Sequence, residues 1–183
     1  NHNTAVGRNS LSQNTTGTLN TAVGSLALDA NTTANDNTAV GYSALGKNTT
    51  GASNTALGTE SMDSNTTGAN NTAVGDRSLV ANTTGEFNVA VGSNALDANT
   101  TASNNTAVGH NAIGSNSTGS ENTGLGRNAL ANNTTGANNT AVGHESLGSN
   151  STASNNTAFG KSALTTNTTG AQNVAIGGLA LDA

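Results

Sequence analysis

Residues 20–36 read NTAVGSLALDANTTAND, residues 37–53 read NTAVGYSALGKNTTGAS, and residues 54–70 read NTALGTESMDSNTTGAN. The three phrases align residue for residue, and the alignment extends without insertion or deletion along the chain. Gly7, Gly24, Gly41, Gly58, Gly75, Gly92, Gly109, Gly126, Gly143, Gly160 and Gly177 each stand 17 residues from the next. A period this short and strict means that each copy is one structural unit stacked on its neighbours. Residues 1–183 are therefore read as a single uninterrupted array rather than divided into domains. The array opens and closes inside a repeat and has no initiator Met, so it is expected to be a window cut from a longer fibre.

Numbering the repeat from Asn3, the copies can be compared with one another. Position 1 is always Asn, from Asn3 to Asn173, and position 2 is Thr except at Val89 and Val174. Position 3 is Ala5, Ala22, Ala39, Ala56, Ala73, Ala90, Ala107, Ala141, Ala158 and Ala175, with Gly124 the one exception. Position 4 is always large and apolar (Val6, Val23, Leu57, Leu125, Phe159, Ile176), and position 5 is the periodic Gly. Positions 6 and 7 vary freely, position 8 is only Ala or Ser, and position 9 is apolar again (Leu11, Leu28, Met62, Ile113). Position 12 is Asn14, Asn31, Asn48, Asn65, Asn82, Asn99, Asn116, Asn133, Asn150 and Asn167, opening an N-T-T or N-S-T turn that continues with Gly or Ala. Free positions face solvent, and restricted ones face something solid.

Asn, Thr and Gly are poor helix formers and are too abundant here for any ten-residue window to make a good helix. The N-T-A-V and A-L segments, separated by Gly- and Asn-rich corners, read as brief strands joined by turns. Stacking pairs each strand with its copies above and below at about 4.8 Å, so eleven coils give a rod roughly 50 Å long. The expected fold is all-β: a parallel β-solenoid (β-roll) of about eleven 17-residue coils. Alternation puts Thr4 and Val6 on one face and Ala5 on the other. The interior is expected to hold positions 4 and 9, together with the Thr of position 2. The Gly of position 5 is expected to supply a positive φ or a close backbone approach. Position 15 admits Ala34, Ala102 and Ala153, so no positive φ is expected there.

The Asn at positions 1 and 12 are expected to stack into ladders whose amides bond between coils. The N-T-T and N-S-T turns are also glycosylation sequons, as is Asn70-Asn71-Thr72. A glycan cannot sit on an amide turned inward to bond its neighbours, which favours the ladder. Two large apolar residues per coil make a thin core, so association with further copies of the chain is expected. The small columns at position 3 (Ala5 to Ala175) and position 8 are the candidate interfaces.

Chemistry-bearing residues are few. Charged residues make up 8% of the chain, aromatics 2%, and the net charge is −5, far from the balance and aromatic content of a nucleic-acid binder. No apolar run is long enough to span a membrane, and the absence of Cys removes thiol chemistry. His110 and His144 share position 6 two coils apart, too distant to bind one metal. Asp29, Asp63, Asp97 and Asp182 share position 10 but never in adjacent coils. No catalytic residue, metal ligand or cofactor is expected. A flat Thr array would suit ice, but the paired Thr of positions 13 and 14 point to opposite faces of an extended segment.

N-T-A-V-G (3–7, 20–24, 37–41) and A-L-x-x-N-T-T-G (44–51, 129–136) resemble the YadA-like head repeats of trimeric autotransporter adhesins. They also resemble repeats of bacterial and phage tail-fibre-like proteins. The repeat here carries Thr where the adhesin head usually has an apolar residue. The resemblance implies a left-handed β-roll, trimerisation, and a cell-surface or virion-fibre location. The expected function is a structural extracellular fibre or fibre shaft, self-assembling through stacked coils and Ala/Ser faces. The alternatives are an adhesin head or tail-fibre segment that binds a surface glycan or host ligand, and, more remotely, an ice-binding solenoid.

Overall fold

The structure, a computed structural model, describes residues 2–182. Eleven three-residue strands, from β1 (Thr4–Val6) to β11 (Val174–Ile176), form one parallel sheet in strict sequence order. Each residue pairs with the one 17 positions on, as in Thr21↔Thr38, Ala22↔Ala39 and Val23↔Val40. The described residues contain no helix, and the chain is a parallel β-solenoid.

Only positions 2–4 are strand. The A-L segment expected to be a second strand is a run of stacked turns, because its backbone is left-handed: φ is +50° at Leu28, +52° at Leu96 and +51° at Ile113. A left-handed residue with a side chain costs about 1–2 kcal/mol. Glycine would avoid that cost, yet the position needs a large side chain, since Leu28, Leu45, Met62 and Leu79 are fully buried. The turns bond between coils as regularly as the sheet does. Leu28 N–H donates to the Ala44 carbonyl of the next coil at 3.0 Å, whereas Ser43 N–H donates back to Ser25 at 3.0 Å.

Thr and Val do share one strand face with Ala on the other, but the faces are reversed from the sequence expectation. Ala22, Ala39, Ala56, Ala73, Ala90, Ala107, Ala141, Ala158 and Ala175 point into the coil and are buried within a single chain. They cannot form an interface with another copy; Ala5, in the first coil, is exposed at its open end. Position 8 also points inward, so neither small-residue column is a free face (Ala27, Ala44, Ser61 and Ser146 are all buried). The outward residues are those of positions 2 and 4, with Leu57 46% and Phe159 57% exposed.

The physical reason is the width of the coil. The single short strand faces the Leu column directly, leaving depth for an Ala against a Leu. At Gly124 even a Cβ would lie 2.6 Å from Ile113 Cγ1, so a Val pointing inward has no room.

Candidate functional site

The periodic Gly column marks the corner at which each strand ends. Its φ runs from +122° to +142°, a region open to glycine alone. A Cβ on Gly92 would also lie 2.6 Å from the Gly109 carbonyl carbon of the next coil. Position 15 has no positive φ, as its Ala-for-Gly exchanges imply.

Both Asn columns are ladders. At position 12 each Nδ2 donates to the Oδ1 of the preceding coil's Asn at 2.8–3.2 Å, from Asn31→Asn14 to Asn167→Asn150. The same Nδ2 also donates to the carbonyl three residues on, as Asn48 does to Gly51 at 2.9 Å. At position 1 the backbone N–H donates to the preceding Asn Oδ1 at 2.8–3.0 Å. Except at Asn105, the side chains from Asn3 to Asn156 cross the coil to the carbonyl of position 15, so that Asn37 and Asn48 both brace Gly51. A sugar would have to replace a hydrogen of Nδ2. From Asn31 to Asn150 the position-12 side chains are fully buried with both of those hydrogens committed, so a glycan there does not fit the folded coil.

The Thr of position 13 are occupied as well: each hydroxyl donates to the position-13 carbonyl of the next coil, as Thr49 does to Thr66 at 3.0 Å. That use explains why only Thr and Ser occur there. The Thr of position 14 point outward and are exposed from Thr50 to Thr169.

His110 and His144 lie in the same outward column with Arg127 between them, and Arg127 Nη1 is 3.2 Å from His144 Nε2. His2 is exposed beside the first coil. Asp63 accepts from Ser43 Oγ at 2.7 Å and pairs with Lys47 Nζ at 2.6 Å, an exposed pair of little energetic weight. Burial pushes the Asp97 carboxyl above the usual carboxylate range, against the opposing pull of backbone hydrogen bonds and Arg77. Among the described residues no three His, Cys, Asp or Glu come together in a metal-binding group. No helix among them is long and apolar enough to cross a membrane.

Besides the Thr column of position 14, two outward surfaces have a distinct composition. One is the sheet face, two columns wide, with Thr or Val at position 2 and Val, Leu, Phe or Ile at position 4, and no charge on any coil. The other is the position-6 column, in which His110, Arg127, His144 and Lys161 follow one another on four consecutive coils. The first was hidden by the reversed faces. The second was available to a reader of the free positions taken column by column rather than repeat by repeat. No family model, curated protein or solved structure matches the chain.

Proposed function

We propose that this chain is the shaft of an extracellular structural fibre in which solenoids associate side by side through the Thr/Val face. The observation that carries this reading is the unbroken apolar column at position 4. A contiguous apolar strip on every coil marks an association surface, whereas other exposed apolar side chains such as Leu19, Tyr42 and Phe87 are scattered singly. Leu57, Leu125, Phe159 and Ile176 are among its most exposed members. A second copy is the occupant that matches it best, because an identical straight column offers the same rise at every coil. The association surface is thus the outer face of the sheet, in place of the Ala and Ser columns.

Sedimentation equilibrium of the chain and of a Val74→Asp/Val108→Asp variant tests the proposal. Both substitutions lie on the outward face, so the variant should keep its β-type circular dichroism and sediment as a monomer while the parent is oligomeric. A parent chain that is a stable folded monomer overturns the reading. If that monomer also shows thermal hysteresis, the same Thr/Val face serves ice instead of a copy.

A further inference from the structure

We propose that the coils spanning residues 105–172 bind a linear acidic polysaccharide along the column of His110, Arg127, His144 and Lys161. Three features coincide on these coils. First, a chain of net charge −5 places four of its eight basic side chains (five Lys and Arg plus three His) in one unbroken column. His110, Arg127 and Lys161 are exposed, and His144 is half-buried with its Nδ1 lacking any hydrogen-bond partner.

Second, position 10 becomes small and uncharged beside the column: Gly114, Ala131 and Gly148 stand where Asp29, Asp63 and Asp97 stand on earlier coils. Third, a groove of about 290 Å³ includes Ala131 and Gly148 in its wall, together with Asn111, Asn128 and Glu145, which directly follow His110, Arg127 and His144 of the column in sequence.

The coil rise spaces successive side chains of the column at about 4.8 Å, which sets the permanent cations Arg127 and Lys161 two coils apart. A small anion would engage one or two of the column's side chains, whereas a polymer with an acid group on each unit engages all four. An extended sugar chain repeats on a length close to this rise. Arg127 offers a planar fork to a carboxylate or sulfate, each imidazole offers a ring N–H donor, and the Asn amides supply donors and acceptors for hydroxyls. Column and groove present no Phe, Tyr or Trp, so they lack the large stacking platform of a single-stranded nucleic-acid site. Glu145, 3.7 Å from His144 Nε2, is the one opposing charge in the groove.

This site does not rest on the fibre reading, because the Gly corner separates position 6 from the sheet face. Its test is calorimetric titration of the full chain, at low salt, with polygalacturonate, dextran sulfate, neutral dextran and oligothymidylate. Both acidic polysaccharides should bind and neutral dextran should not. Arg127→Gln/Lys161→Gln should weaken binding at least about tenfold, and Glu145→Gln should tighten it. Arg8→Gln/Arg77→Gln, removing the same number of charges elsewhere, should leave affinity within about twofold. The proposal fails if neither acidic polysaccharide binds, or if neutral dextran binds equally. It also fails if the column variant matches the parent, or if oligothymidylate binds as tightly as polygalacturonate.

Discussion

Ile113 is the one Ile in the Leu column and Gly124 the one Gly in the Ala column, and the two exceptions touch. A Cβ added at Gly124 would lie 2.6 Å from Ile113 Cγ1 and 3.1 Å from Cδ1, so the glycine accommodates the β-branch of the coil beneath it. The rigid χ1 of Ile leaves that methylene no alternative position. Gly124→Ala alone should therefore destabilise the chain by about 1–3 kcal/mol through overpacking. Ile113→Leu alone should cost less than about 1.5 kcal/mol, and the double variant, which restores the common pair, should recover most of the loss. Chemical denaturation of the four chains measures the coupling; additive losses would show that the two sites are independent. Both exceptions were visible in the sequence as departures from their columns. Their contact was not, because it depends on position 9 of one coil lying against position 3 of the next.

At the scale of the element, the ladders were legible and the faces of the strand were not. Strict Asn at two positions, in a repeat with no helix or strand preference for Asn, has few uses other than an amide stack. Strand alternation, by contrast, is symmetric. A T-A-V segment states that Ala opposes Thr and Val without stating which side is inside, and the expectation that larger apolar residues are buried chose wrongly. Leu28 and its equivalents already fill the narrow coil, so the opposing strand can contribute only Ala. The A-L turn was also illegible, since nothing in an apolar Leu announces a φ near +50°. The ladder makes its own prediction. Asn82→Ala would leave Asn65 Oδ1 without its donor and one of the two Asn99 Nδ2 hydrogens without its acceptor, all in buried surroundings. Unsatisfied buried polar groups cost about 1–3 kcal/mol each, so a loss of about 2–5 kcal/mol is expected. Thr84→Ala, on the exposed face two residues away, should change stability by less than about 0.5 kcal/mol. Thermal melts of the two variants compare them, and equal losses would refute a stabilising ladder.

Across the whole molecule, contacts run from each strand to its immediate neighbours, β1 to β2 (Thr21–Val23) and onward to β10 (Thr157–Phe159) with β11. Stability in such an array is close to a sum over coils and their interfaces. Its unit is then the 17-residue register, not any particular residue. Deleting residues 88–104 removes one complete coil and joins Phe87 to Asn105 with every column still in line. Asn105 would meet Asn71 as Asn88 now does, and Thr106 would pair with Thr72 in place of Val89. The shortened chain should fold, with a denaturant m-value lower by on the order of a tenth, because that share of the buried surface is gone. Deleting residues 88–96 removes fewer residues and should do far more harm. The strand of residues 106–108 would then follow Phe87 at the wrong distance from its neighbour, and Asn99 would fall three residues after Phe87, breaking both ladders at once. A parallel stack corrects such a slip only by looping residues out, since a one-residue shift turns an inward side chain outward. Circular dichroism melts and urea titration of the two deletions distinguish these outcomes. If the nine-residue deletion were the more stable, the columns, rather than being the source of stability, would be incidental to it.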